Sequence, residues 1–166
     1  MADLVRSCFP GRHCRSGMNC APKDWLDLDL TYAWSHARYS DSSPDGNAIP
    51  GAIESVVSNG CTLHDVPGLG GFFAGVRRRY FGQRPLTEDG AQWSNGTAIL
   101  NLQVGYRFNP HWKLMADLFN ALDTRADDIT YYYPSRLPGE PAGGIADHHF
   151  HPVEPIQARI ALTARF

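Results

Sequence analysis

The closing residues, Glu154 to Phe166, constrain the fold of this chain more than any other stretch. Taken in twos, Ile156, Ala158, Ile160, Leu162, Ala164 and Phe166 fall on one face and Gln157, Arg159, Ala161, Thr163 and Arg165 on the other. One face is apolar and the opposite one carries two arginines. A half-buried strand of a soluble sheet alternates in the same way, but rarely for this length, and it rarely ends on a phenylalanine carboxylate. A strand that crosses a bilayer needs about 9–11 tilted residues, with apolar groups toward lipid and polar groups toward a lumen. The spacing therefore predicts a membrane-crossing strand, and more strands of the same kind upstream.

Composition narrows the classes. With 43% hydrophobic and 19% charged residues the chain is not a disordered tail, and 166 residues suit one domain. A net charge of −2 lacks the basic footprint of a nucleic-acid binder, so no nucleic-acid partner is expected. No run of 18 apolar residues occurs, which removes transmembrane helices but leaves transmembrane strands, whose hydropathy is diluted by alternation.

Residues 1–24 do not match the rest of the chain. They hold Cys8, Cys14 and Cys20 but neither the apolar stretch nor the small-residue cleavage site of a signal peptide. His13 with Cys14 and Cys20 offers a zinc reading, against which stand the missing C-x₂-C spacing and the missing fourth ligand. The expectation is an atypical leader, disordered or foreign to the barrel, ahead of a strand domain at 25–166.

Strands are predicted near 25–39, 50–59, 72–82, 98–109, 112–132 and 154–166. Within the first, Leu26, Leu28, Leu30, Tyr32 and Trp34 oppose Asp27, Asp29, Thr31, Ala33 and Ser35. Two carboxylates on one face of a strand can serve acid/base chemistry, but without a nucleophile nearby a polar lumen wall accounts for them better. Residues 50–59 carry Val56 and Val57 side by side and specify their register poorly. Phe72, Ala74, Val76 and Tyr80 share a face on which Arg78 also falls. An arginine there costs about 2–4 kcal/mol at mid-bilayer and about 0–1 near an interface, so Tyr80 points to the rim, where Arg78 can snorkel to lipid phosphates, with a solvated residue of a soluble sheet as the alternative.

Leu100, Leu102, Val104, Tyr106 and Phe108 alternate with Asn101, Gln103, Gly105 and Arg107, and Asn109, Pro110 and His111 turn the chain into Trp112, Leu114, Ala116 and Leu118. Aromatics where strands meet turns suit an interfacial girdle. Tyr131, Tyr132 and Tyr133 read as a second belt, with a ligand-stacking platform as the alternative. Residues 134–155, with five prolines and three glycines, read as a long loop. His148, His149 and His151 in it are weak candidates for a metal site, since loop imidazoles without a scaffold are usually solvated.

At Asn120, Ala121, Leu122 and Asp123 the chain resembles the Asn-Leu-Phe-Asp signature that TonB-dependent outer-membrane receptors carry on their penultimate strand. YYYPSRLPGEPAGG at 131–144, DHHFHPVEP at 147–155, RRRYFGQRPL at 77–86 and the final RIALTARF are similar to one subgroup of those receptors. The resemblance covers about Trp25 to Phe166. It implies the C-terminal part of a 22-stranded, plugged barrel that imports scarce nutrients such as ferric chelates or cobalamin. The plug, the energy-coupling box and most strands lie outside it, so a fragment that does not transport by itself is expected.

The resemblance further implies a bacterial outer-membrane location and outer-membrane lipids as partners. It implies a barrel-assembly machinery that reads Ile160, Leu162 and Phe166 as its signal, and, for a full-length receptor, an inner-membrane energy-coupling complex. Loops 40–50, 83–97 and 134–153 would be extracellular and the turn at 109–111 periplasmic. The expected fold is all-β: an antiparallel transmembrane β-barrel fragment of about six hairpin-connected strands in an open, curved sheet, with edges at 25–39 and 154–166. No cofactor and no enzyme activity are expected. The competing readings are a soluble β-sheet ligand-binding module and a metal-dependent enzyme built on the three histidines, against which stands the absence of HExxH or GxSxG spacing.

Overall fold

The computed structural model describes the backbone of residues 2–9 and 13–166 and the side chains of residues 13–41 and 44–166. Among the described residues the chain is all-β, without a helix. Its strands are β1 (Ala2–Phe9), β2 (His13–Lys23), β3 (Leu26–Ser35), β4 (Arg38–Ser43), β5 (Gly46–Ala48) and β6 (Ser55–His64), followed by β7 (Phe72–Phe81), β8 (Thr97–Arg107), β9 (Trp112–Phe119), β10 (Asp127–Ser135), β11 (Ile145–Pro152) and β12 (Gln157–Ala164). Eight of them form one antiparallel sheet in the order β1-β2-β3-β6-β7-β8-β9-β12, and β4-β5 and β10-β11 are separate hairpins. The sheet is a meander, each strand lying beside its neighbours in chain order. It is not closed: among the described residues β1 and β12 do not pair.

Expectations from the sequence need correction at several points. The sheet does not start at residue 25, because His13–Lys23 pairs along the whole of β3, from His13 opposite Ser35 to Lys23 opposite Leu26. The edges are therefore β1 and β12, and the count is eight, not six. Eight strands suffice for the smallest single-chain barrels, so the missing β1–β12 pairing, and not strand number, leaves this sheet open.

The strand expected at 112–132 is broken at Asn120, whose φ of 47° turns the chain out of β9. The expected loop at 134–155 contains β11, which pairs with β10 from Pro152 opposite Asp127 to Ile145 opposite Ser135. The strand expected at 50–59 lies at Ser55–His64, since residues 49–52 form a turn closed by Ala52 N–H donating to Ile49 O.

The registers fix the two faces. Leu28 lies opposite Cys61, Cys61 opposite Val76, Val76 opposite Leu102, Leu102 opposite Leu118, and Leu118 opposite Ala158. Leu114 and Leu162, also partners, share that face. Asp29, Gly60, Arg77 and Asn101 run across the opposite face, as do Gln103, Asp117 and Arg159. The expected division of leucines from polar residues thus extends from β3 to β12.

Packing energetics set this sheet apart from a globular one. The buried apolar side chains among the described residues are Ala48, Pro85 and Leu86, all in the long connections at one end. There the β4–β5 region meets residues 82–96, with Ala48 N–H donating to Glu88 O and Gly51 N–H to Pro85 O. The Thr87 hydroxyl and the Ala91 N–H hold the Asp89 carboxyl in this loop below the usual carboxylate range.

Among the described residues the leucine face has no such cover. Leu28, Leu30, Val76, Leu102, Val104 and Leu114 are all exposed, Leu102 at 39%, and Ile160 and Leu162 reach 76% and 62%. The connections also sort by length. Residues 24–25, 65–71 and 108–111 turn the chain at one end, while 36–54, 82–96 and 120–156 make the long excursions at the other.

Candidate functional site

The polar face is organised by side chains that reach across strands. Arg77 on β7 donates from both terminal nitrogens to Asp29 on β3, at 3.1 and 2.9 Å, over the intervening strand β6. The residue of β6 between them is Gly60, opposite both partners. A Cβ there would lie 2.3 Å from Asp29 Oδ1 and 3.0 Å from Arg77 Nη2. Glycine at 60 thus leaves room for the two side-chain ends to meet over β6. Gly60→Ala is expected to cost about 1–2 kcal/mol through this clash and the weakened, partly exposed pair. Gly75→Ala, whose Cβ would meet nothing nearer than 3.8 Å, is expected to be neutral or slightly stabilising. Urea midpoints of the two variants measured side by side check this.

A second cluster joins β8, β9 and β12. Asp117, 6% exposed, accepts from Gln103 Nε2 at 2.8 Å and from Arg159 Nε and Nη2 at 3.1 and 2.8 Å. The Arg159 guanidinium also lies 5.1 Å from the centre of the Phe119 ring. Near the short-turn end His64 Nε2 sits 2.9 Å from Asp27 Oδ2, and Arg107 reaches Asp65 at 3.4 Å. The two carboxylates singled out in the sequence, Asp27 and Asp29, therefore bind different partners. Charges paired from strand to strand describe this face.

The long-loop end is tied by Asn120, which is 3% exposed. Its N–H donates to Asn101 Oδ1 at 3.0 Å, and its Nδ2 donates to Thr124 O at 3.1 Å and Glu154 O at 2.9 Å. Its Oδ1 accepts from Thr124 N–H at 2.9 Å. Asp123, also at positive φ, accepts from Ile156 N–H at 3.2 Å. One side chain thus pins both stems of the excursion between β9 and β12. In the sequence Asn120 and Asp123 stood out only through a resemblance, and nothing in the period-2 pattern marked them as a hydrogen-bonding centre.

The expected metal and assembly residues separate. His149 and His151 share one face of the β10–β11 hairpin with Tyr131 and Tyr133, while His148 and Tyr132 lie on the other. His149 stacks on Tyr133 at 4.0 Å and His148 meets Tyr132 edge-on at 5.1 Å. Among the described residues no three His, Cys, Asp or Glu side chains converge as a metal site would require. The zinc reading of the N-terminal stretch also fails. Cys14 is in a disulfide, so its sulfur is not a thiolate ligand, and His13 and Cys14 occupy opposite faces of β2. Ile160 and Leu162 project from the leucine face, and Phe166 is fully exposed beyond β12.

No family model matches the chain. It is similar to the capsular polysaccharide phosphotransferase SacB of Neisseria meningitidis serogroup A, with 30% identity over 87 residues. The same identity and span hold for SacB of serogroup A, serotype 4A. The match covers 52% of this chain, and the chain spans 15% of the length of these curated relatives.

An apolar groove of about 540 Å³ on the leucine face is floored by Ala74, Ala116 and Ala158 and flanked by Val76, Leu102, Val104 and Ile160. On the polar side a cavity of about 570 Å³ opens between the sheet and the stems of the β10–β11 hairpin, lined by Arg79, Asn101, Asp128, His151 and Glu154 among others.

Proposed function

We propose that this chain forms the C-terminal wall of an outer-membrane β-barrel of the TonB-dependent receptor class, part of an apparatus for importing a scarce nutrient such as a ferric chelate or cobalamin. The observation that carries this reading is the uncovered leucine face of an antiparallel sheet whose opposite face is a lattice of ion pairs. Each half-exposed leucine-sized side chain forgoes roughly 1 kcal/mol of burial in water. The row of them across β3 to β12 is stable when lipid covers it. Aromatics bracket the face, with Tyr32, Trp34 and Tyr80 toward the long-loop end and Phe72, Tyr106, Phe108 and Trp112 toward the short turns.

The spacing between the brackets suits a membrane. From Ala98, opposite Tyr80, to Tyr106 the strand climbs roughly 26 Å at about 3.3 Å per residue, and a tilt near 40° turns this into about 20 Å of depth. An apolar band of about 25 Å flanked by aromatic girdles is what such barrels present. In this reading the long connections are extracellular, the short turns periplasmic, and Ile160, Leu162 and Phe166 present the assembly signal.

A soluble ligand-binding module needs a second layer on the leucine face. A polysaccharide phosphotransferase, the remaining reading, is supported by the partial sequence match alone. The test is refolding of the chain with and without phospholipid vesicles. Expected is a protease-resistant sheet with vesicles, its two open edges paired by self-association of copies of the chain, and aggregation without them. A monodisperse monomer in plain buffer contradicts the proposal.

A further inference from the structure

We infer that Arg78 and Asn59 form a binding notch for the phosphate of an anionic lipid headgroup, on the lipid-facing side of the sheet just below its long-loop rim. This rests on the barrel reading above. Leu30, Asn59, Arg78 and Leu100 make one row across β3, β6, β7 and β8 on the leucine face. The next row toward the rim holds Tyr32 and Tyr80, and the row below is apolar throughout.

Within this face Arg78 has no counter-charge among the described residues. From β3 to β12 the leucine face carries no Asp or Glu. Among the described residues Arg78 makes no side-chain hydrogen bond or ion pair, whereas Arg77, Arg107 and Arg159 all hold carboxylates. A guanidinium exposed to hydrocarbon is costly unless it meets an anion. The anion available at that depth is the lipid phosphate, since Arg78 lies only one row, or about 5 Å of depth, below the tyrosines. The fork of the guanidinium matches two phosphate oxygens, and the Asn59 amide beside it supplies a further donor.

Arg79 provides the internal comparison. It carries the same charge one residue on, also without an ion-pair partner among the described residues, but on the opposite face of the sheet.

The chain is reconstituted in phosphatidylcholine vesicles containing phosphatidylglycerol, with bromine placed on one lipid or the other, and tryptophan quenching reads which lipid borders the protein. Expected is an approximately fivefold preference for phosphatidylglycerol, lost in Arg78→Gln, partly kept in Arg78→Lys and unchanged in Arg79→Gln. Millimolar inorganic phosphate is expected to leave it intact. Quenching with no preference for the anionic lipid, or an equal loss in Arg78→Gln and Arg79→Gln, overturns the notch alone. Competition by inorganic phosphate assigns the site to the free ion and overturns the lipid assignment. No quenching by brominated phosphatidylcholine overturns both the notch and the barrel reading.

Discussion

Leu102→Arg is expected to cost about 2–4 kcal/mol of stability in a bilayer, whereas Thr62→Arg is expected to cost less than about 1 kcal/mol. Leu102 lies mid-face, between Val76 and Leu118, where on the proposed barrel wall an arginine would sit in hydrocarbon far from either aromatic rim. Thr62 lies on the other face, opposite Asp27 and Gly75, where a guanidinium finds water and a carboxylate. On the proposed barrel wall the contrast is large because the two sites would differ in solvent while both lie in strands of one sheet. In a soluble module with a hidden second layer Leu102→Arg would also destabilise, but its cost would not depend on the lipid. Urea unfolding from vesicles, followed by tryptophan fluorescence, measures both variants, and repeating it in bilayers of different thickness separates the two cases.

The second large effect belongs to Asn120. Replacement by alanine removes two side-chain donors and one acceptor from a site that is closed to water, and leaves the Thr124 N–H and the Thr124 and Glu154 carbonyls in need of partners. Alanine is also a poorer occupant of a φ of 47° than asparagine. Together these are expected to cost about 2–4 kcal/mol. Asn120→Asp is expected to do no better, because a carboxylate would face two carbonyl oxygens where the amide donates. Amide exchange localises the damage. The variants should lose protection at Thr124 and Ile156 and in the β10–β11 hairpin, while the pairing of β7 with β8 stays protected.

The strands that were legible in the sequence are those with one apolar and one polar face. β3, β8 and β12 each set leucine or isoleucine against aspartate, glutamine or arginine, and their partition in space follows the period of two. β6 was displaced because its residues answer to their neighbours. Gly60 is there to let Arg77 reach Asp29, and Asn59 stands beside Arg78 on the apolar side, so neither face of the strand keeps its class.

β11 was invisible for a related reason. His148, His149, Phe150 and His151 belong to a hairpin whose own rings are its packing partners, and polar residues on both faces leave no period to read. β2, with Cys14, Ser16, Met18 and Cys20 on its leucine side, alternates too weakly to be told from a leader. The charged face was foreseeable as a class, but its pairings were not. Alternation places Asp29, Asp117 and Arg159 on one side without saying which cation crosses which strand.

The most direct measurement is solvent accessibility along β8. Nitroxide labels placed singly from Ala98 to Tyr106, on the chain folded in phospholipid vesicles, report collisions with oxygen, which concentrates in hydrocarbon, and with a water-soluble nickel chelate. Oxygen accessibility is expected to oscillate with a period of two, high at Leu100, Leu102 and Val104, with the nickel chelate in opposite phase at Asn101, Gln103 and Gly105. Labels at Leu102 and Gln103 that respond equally to the nickel chelate, or a Leu102 label shielded from both reagents, would contradict a lipid-facing leucine surface and with it the barrel wall.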